Sequence, residues 1–324
     1  MRLKFAFLLA ATLMAISQPA ESRAYQISGP QLGYVTDSAN STLRIVNGIP
    51  GASTLGGAIG IDVKIRKSEV SLRHNYALAI NDSGDLVLIA NLSEAPFQMS
   101  VAGAAGNIDV IAISPNESVA AVYSLAGSRV QIIGGLPADA RVHFEVETAS
   151  IGATPTAMAV NDNGQVLAAF SNGETGAVYL IMPGGGFRLL STASFVTSIA
   201  FDPTGNRAAV ADRGANQALL LENISTTVAS ILLAGSADGI SNPVGIAFAE
   251  GATALVANAG SGTVSFIPTH GGGPRELSCQ CRLTTLRSLR GSSLFALTEA
   301  TDEPIAVLDA DPAGPQVFIV PATH

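Results

Sequence analysis

Six charged or titratable side chains are the candidates for ligand binding, because each one precedes or follows a short apolar segment. They are His74, Asp109, Glu174, Asp212, Arg213 and Arg287. If several of them converge, their carboxylate oxygens could hold a divalent cation, or the group could perform acid–base chemistry on a small ester. The six residues lie far apart in the chain, so only the fold can bring them together.

No catalytic or metal-binding motif points to a particular reaction. The four histidines show no metal-ligand spacing, so we predict no resident metal site and leave a divalent cation open. The segment His270–Gly273 imitates the oxyanion loop of lipases, but the Gly-x-Ser-x-Gly nucleophile motif is missing. We therefore predict a glycine-rich turn there, and no catalytic residue.

A run of basic residues lies close to His74 in the sequence. Its members are Lys64, Arg66, Lys67 and Arg73. The run could bind an anionic ligand, or it could cover an extended outer strand. It falls in the longest interval between the repeats described below, and we favour the outer strand.

The composition indicates a folded protein rich in β-structure. Hydrophobic residues make up 48% of the chain and charged residues 13%, which excludes an intrinsically disordered chain and disfavours a helical bundle. The formal net charge of −8 argues against nucleic acid as a partner. The expected partner is an unidentified protein or a small-molecule ligand.

The first 24 residues have the pattern of a secretory signal peptide, in which Arg2 and Lys4 precede the apolar run 5–16. This run is shorter than the ~20 residues that span a bilayer. We expect cleavage after Ala24, a single domain over 25–324 without a transmembrane segment, and a secreted or periplasmic location; an uncleaved anchor is the alternative. In such an oxidising compartment Cys279 and Cys281 could form a small disulfide ring, with two free thiols as the alternative.

An internal repeat determines the predicted fold. Five segments align without gaps through an apolar strand, a turn rich in Asn, Asp, Pro and Gly, and a second apolar strand. They are 77–91, 110–124, 157–171, 198–212 and 245–259. A recurrent alanine suggests a crowded position where inner strands converge. It is Ala79, Ala112, Ala159, Ala200 or Ala247 in the five segments.

Two weaker copies flank these five, at 286–299 and at 25–28 followed by 33–38. The copies recur at about the 40–45-residue period of a four-stranded propeller blade. We predict an all-β, seven-bladed β-propeller of four-stranded antiparallel blades, with six or eight blades as alternatives. Residues 25–28 are predicted to form the inner strand of the first blade or to pair with the last blade.

At these residues the chain resembles a known family. The segments 34–48 (YVTDSANSTLRIVNG) and 255–267 (LVANAGSGTVSFI) resemble the YVTN repeat of bacterial and archaeal seven-bladed propellers, and 200–222 is similar to this repeat in lactonase-like propellers. The resemblance covers nearly the whole chain after the leader and implies a secreted bacterial type. Family members include surface proteins, binding proteins and sugar-lactone hydrolases, so the resemblance specifies the fold more closely than the function.

The first functional interpretation is a secreted, non-catalytic binding or interaction module. A hydrolase of lactones or small esters with a site at the channel mouth is the alternative, and a structural cell-surface propeller is the second alternative. Function in a propeller usually lies on the loops that lead into the inner strands and on those that join the second and third strands. The six candidate residues are all expected in such loops, at one mouth of the central channel.

Overall fold

The protein is built almost entirely of short antiparallel strands. The computed structural model describes residues 29–173 and 175–322, which form seven sheets. Six sheets have four strands, and the first has three strands within the described residues. Contacts between successive sheets run around the whole set and return from the seventh sheet to the first. The chain is a seven-bladed β-propeller, which confirms the predicted fold class.

Each blade uses strands that follow one another in the chain. The strands of blades one to four are β1 (Gln31–Asp37), β2 (Thr42–Ile49) and β3 (Ala52–Ala58); β4 (Ile65–Val70), β5 (Tyr76–Asn81), β6 (Leu86–Ala90) and β7 (Phe97–Ser100); β8 (Ile108–Ile113), β9 (Ala120–Ser124), β10 (Arg129–Gly134) and β11 (Arg141–Glu147); β12 (Thr154–Val160), β13 (Val166–Ser171), β14 (Gly176–Ile181) and β15 (Phe187–Ala193).

The remaining blades follow the same order. Their strands are β16 (Val196–Phe201), β17 (Ala208–Asp212), β18 (Gln217–Glu222) and β19 (Ala229–Ala234); β20 (Pro243–Ala249), β21 (Thr253–Asn258), β22 (Thr263–Pro268) and β23 (Arg275–Ser278); β24 (Arg287–Arg290), β25 (Leu294–Ala296), β26 (Ile305–Asp309) and β27 (Gln316–Val320). In the described chain no helix is long and apolar enough to cross a membrane.

Apolar side chains fill the space between neighbouring blades. The described residues contain seven hydrophobic clusters, one for each pair of adjacent blades. Leu78 of blade two, for example, belongs to the same cluster as Val122 of blade three. Val35 of blade one and Val307 of blade seven share the cluster that closes the ring. Each blade is therefore buried on both faces, as expected for a propeller.

The second blade departs from the sequence alignment. The alignment assigns 77–91 to the first two strands of a blade, but this segment forms β5 and β6, the second and third strands. The alignment is wrong here because the turn at 81–84 has the same Asn-Asp-x-Gly sequence as the turn at 161–164. The turn at 161–164 joins a first strand to a second. The inner strand is β4, which carries Lys67 and Glu69 in place of apolar residues.

Inner strands of neighbouring blades run parallel to each other. On β4 and β8, Arg66 donates a hydrogen bond to the carbonyl oxygen of Ile108, and Lys67 donates one to that of Asp109. The residue numbers rise together along the two strands. This parallel arrangement follows from building every blade in the same direction around the ring.

The strand β1 runs in the opposite direction to its neighbour β4. Thr36 lies beside Ser68, with 2.6 Å between their hydroxyl oxygens, and Tyr34 packs against His74 further along. β1 therefore has the direction of a second strand. Among the described residues, no strand occupies the inner position of blade one. The predicted inner strand at 25–28 and the predicted signal peptide at 1–24 lie outside the described residues.

Candidate functional site

A cavity of about 330 Å³ lies beside β1. Residues of β1, β4 and β24 form most of its wall. Its charged residues stand mainly at the beginnings of inner strands and after β25, which places them at one end of the ring. We call them the mouth cluster: Arg66, Lys67, Glu69, Asp109, Arg287 and Glu299.

Arg287 and Glu69 form an ion pair between blades that are not neighbours. Arg287 begins β24 in blade seven, and Glu69 lies on β4 in blade two. Nη1 of the arginine is 3.2 Å from Oε1 of the glutamate, and the same nitrogen donates to the carbonyl oxygen of Ser68 at 3.0 Å.

Lys67 is a partly buried cation in the cavity wall. Its Nζ donates a hydrogen bond to the carbonyl oxygen of Asp109 at 3.1 Å, and none of the ion pairs in the described chain includes it. Burial lowers the pKa of Lys67, and the charge of Arg287 lowers it further, against the opposing effects of Glu69 and Asp109. No carboxylate oxygen of the described chain lies within 4.0 Å of the amine.

Arg66 adds a second cation at the same mouth. Its guanidinium is exposed, and Nη2 donates to the carbonyl oxygen of Ile108 at 2.8 Å. A guanidinium carries five N–H donors. The other nitrogens of Arg66 and of Arg287 have no hydrogen-bond partner within residues 29–173 and 175–322, so both side chains retain donors that face solvent or a ligand.

The wall along β1 is largely apolar. Tyr34 and Val35 line it from blade one, and Leu289 lines it from blade seven. The Tyr34 hydroxyl donates to Oε1 of Gln31 at 3.3 Å, and burial raises the pKa of this phenol. The cavity thus combines an apolar wall with a charged mouth, which is the usual arrangement of a small-molecule site.

Two of the six residues predicted from the sequence, Asp109 and Arg287, meet in the mouth cluster. His74 lies instead in the turn between β4 and β5, at the opposite end of the ring. Its Nε2–H donates to the carbonyl oxygen of Leu289 at 2.5 Å, and its ring packs edge-on against Tyr34. Its predicted place before an inner strand is wrong because the sequence alignment shifts blade two by one strand.

Asp212 ends the second strand of blade five and Arg213 follows it, but their contacts are local. The buried carboxylate of Asp212 accepts hydrogen bonds from the backbone N–H groups of Ser194 at 2.9 Å and Phe195 at 2.8 Å. The guanidinium of Arg213 lies 4.7 Å from the centroid of the Phe195 ring. Neither residue lines the cavity. Asp37 holds its own turn in blade one in a similar way.

The remaining candidates are Glu174 and the two cysteines. Glu174 is outside the described residues. Cys279 and Cys281 form a disulfide after β23, next to a second cavity of about 530 Å³ that Arg282 and Glu303 line. Within the described ranges, no three His, Cys, Asp or Glu side chains are grouped so that they could hold a metal ion.

Sequence reasoning missed Arg66, Lys67 and Glu69 as site residues. The favoured interpretation of the basic run, an outer strand, is wrong for Arg66 and Lys67, because both lie on the inner strand β4. A usable signal was present, since β4 and β24 have charged residues where the inner strands β12, β16 and β20 have apolar residues and alanine. Such a substitution favours a strand that faces a polar site.

The fold is shared with solved bacterial structures. A protein from Lactobacillus plantarum has a TM-score of 0.65 at 11% identity, over 90% of this chain and 96% of that chain. A functionally unknown protein from Desulfotomaculum acetoxidans has a TM-score of 0.61 at 16% identity, over 91% and 100%. Virginiamycin B lyase from Staphylococcus aureus has a TM-score of 0.57 at 14% identity, over 78% and 82%. At these identities the likeness establishes the propeller fold alone.

No protein-family model matches the sequence. No curated protein matches it either. The function is therefore argued from the site.

Proposed function

We propose that this protein is a non-catalytic binding propeller whose mouth cluster takes a small molecule with a carboxylate group. One observation carries the proposal: Lys67 is a partly buried cation with no carboxylate oxygen of the described chain within 4.0 Å. The carboxylate of a ligand would supply a countercharge in direct contact. Arg66, exposed at the same mouth, would give that carboxylate a second partner.

The electrostatic argument rests on the cost of burying a charge. A partly desolvated ammonium group is unfavourable unless it gains hydrogen bonds and a countercharge. The carbonyl oxygen of Asp109 satisfies one of the three N–H donors of Lys67, and Glu69 already binds Arg287. Charge-assisted hydrogen bonds are roughly twice as strong as neutral ones, so an anion beside Lys67 is favoured over a neutral ligand.

The shape of the cavity limits the size of the ligand. Its volume of about 330 Å³ is at the lower end of the range for small-molecule sites, roughly 300–1,000 Å³. The apolar wall formed by Tyr34, Val35 and Leu289 suits a short hydrocarbon chain. We therefore propose a short carboxylic acid with an apolar tail as the ligand class.

The location and the repeat family form part of the same proposal. The signal-like pattern over 1–24 supports export to the periplasm or the medium, and the segments 34–48 and 255–267 support the YVTN type of repeat. N-terminal sequencing of the protein recovered outside the cytoplasm tests the first point. A first residue of Tyr25 is expected, and an intact leader would contradict it.

Two other functions stay predictions from the sequence. One is a hydrolase of lactones or small esters with a site at the channel mouth, and the other is a structural cell-surface propeller. If the protein is a binding module, it should bind a carboxylate saturably and leave it unchanged. If it is a hydrolase, it should hydrolyse a lactone, and Asp109→Asn should lower the rate.

Thermal unfolding with added ligands tests the binding proposal. A ligand at 100 times its Kd adds about 2.7 kcal/mol to the free energy of unfolding. We expect butyrate to raise the melting temperature of the native chain. The control variant Lys64→Met loses the same charge as Lys67→Met but at an exposed position, and we expect butyrate to raise its melting temperature as well. Butyramide, a neutral molecule of the same shape, is expected to have no effect. A rise with butyramide, or an undiminished rise with butyrate in Lys67→Met, would contradict the proposal.

A further inference from the structure

The disulfide between Cys279 and Cys281 closes a sharp bend in the segment that leads from blade six to blade seven. The Cα atoms of the two cysteines are 5.0 Å apart, whereas residues two apart in an extended strand are separated by about 6.6 Å. Gln280, between them, has a φ of 53°, which lies in the left-handed region that is unfavourable for a side chain such as glutamine. Opening the disulfide would therefore allow Gln280 to adopt an ordinary backbone conformation.

The two cysteines of this disulfide have different surroundings. Cys279 is only 7% exposed and belongs to the hydrophobic cluster between blades six and seven. Its backbone N–H donates to the carbonyl oxygen of Gly262 at 2.9 Å, which holds this cysteine against blade six. Cys281 is partly exposed and lines the second cavity. A molecule that enters the second cavity therefore reaches the sulfur of Cys281 before that of Cys279.

Charged side chains of both signs line the second cavity. They are Arg282, Glu299 and Glu303, and all three are exposed. None of the ion pairs in the described chain includes them. The charge of Arg282, the residue after Cys281, attracts a thiolate, which is the form of a thiol that attacks a disulfide. The arrangement suits a zwitterionic thiol, whose carboxylate would contact Arg282 and whose ammonium group would contact a glutamate.

We propose that Cys281 captures small amino-acid thiols reversibly by thiol–disulfide exchange. The thiol loses its proton, and its sulfur attacks Sγ of Cys281 to form a new S–S bond. The bond to Cys279 breaks, and its electron pair moves to Sγ of Cys279, which takes up a proton. The incoming sulfur is oxidised and the sulfur of Cys279 is reduced, so the step consumes no other oxidant or reductant. Attack by Cys279 on the mixed disulfide reverses the capture. This inference does not depend on the carboxylate site at Lys67.

Mass spectrometry of the folded, full chain tests the inference, with L-cysteine as the probe. The reaction is stopped with acid at early times, the small thiol is removed, and free protein thiols are then blocked with N-ethylmaleimide. Peptide fragmentation locates the bound cysteine. We expect an adduct on Cys281 with a free thiol at Cys279, in several-fold excess over the reverse. In the urea-unfolded chain this preference is expected to disappear. A disulfide that stays closed in the folded chain, that opens without an adduct, or that gives equal adducts on the two cysteines would overturn the inference.

A second probe and a charge variant test the preference for an amino-acid thiol. 2-Mercaptoethanol has the same reacting group without the two charges. The rate of disulfide opening in the folded chain, divided by the rate in the unfolded chain, corrects for the different acidities of the two thiols. We expect this ratio to be several-fold higher for L-cysteine, and to fall for L-cysteine in Arg282→Gln. Arg275→Gln, which removes an exposed charge outside the second cavity, is expected to leave the ratio unchanged. Equal ratios for the two thiols, or an unchanged ratio in Arg282→Gln, would overturn the inference.

Discussion

Arg287 and Glu69 connect blades seven and two directly, with 3.2 Å between Nη1 and Oε1. Arg287 also donates to the carbonyl oxygen of Ser68 at 3.0 Å. The arginine therefore links the inner strands β24 and β4 and presents its remaining donors to the mouth of the cavity.

Removing this bridge is expected to have a small effect on stability. Arg287 and Glu69 are 38% and 30% exposed in their side chains, and such pairs contribute about 0–1 kcal/mol. Urea unfolding of Arg287→Gln is therefore expected to show a loss of at most about 1 kcal/mol. Arg141→Gln, which removes a more exposed ion pair, is the matched control. A loss of several kcal/mol would show that the bridge holds the ring together.

Asp212 is expected to matter for stability and not for ligand binding. Its buried carboxylate accepts the backbone N–H groups of Ser194 and Phe195. Asp212→Ala leaves these donors without a partner, which costs about 2–4 kcal/mol in the free energy of unfolding. Asp139→Ala, at an exposed carboxylate, is expected to cost little. Unchanged stability in Asp212→Ala would contradict the structural role, and a lost response to butyrate in the folded variant would return Asp212 to the site.

His74 is expected to reduce stability in mild acid. Burial lowers the pKa of the folded imidazole, so below the unfolded pKa of about 6.5 the unfolded chain binds more protons. The stability associated with the neutral, buried imidazole of His74 is fully present above the unfolded pKa and is lost as the pH falls through the folded pKa. In His74→Gln, whose amide can still donate to Leu289, urea unfolding is expected to show a weaker decline on acidification. His143→Gln is the control, and an unchanged decline in His74→Gln would contradict the assignment.

The propeller could be predicted because its signal is repeated. Each blade has the same alternation of apolar strands and turns, so one misplaced copy did not alter the count of blades. The exact strands were harder to assign in blade two, where the turn after Asn81 imitates a turn between first and second strands. A local turn sequence fixes a hairpin, but it does not determine which pair of strands the hairpin joins.

The site was predictable only in part. Asp109 and Arg287 could be placed because the alignment assigns the inner strands of their blades, β8 and β24, to the right segments. Lys67 and Glu69 could not, since their role depends on a contact between blades two and seven that spans most of the chain. Such long-range proximity arises from ring closure. Ring closure leaves no pattern in the local sequence.

Calorimetric titration with butyrate tests the central claim most directly, because it measures binding and proton uptake together. The pKa of Lys67 is lowered in the free protein, so an anion bound beside it would raise that pKa and draw in a proton at mildly alkaline pH. Titrations in two buffers of different ionisation enthalpy measure this uptake. The account predicts saturable binding with proton uptake in the native chain and in Lys64→Met, and no uptake in Lys67→Met. Absence of binding, or the same uptake in Lys67→Met, would contradict it.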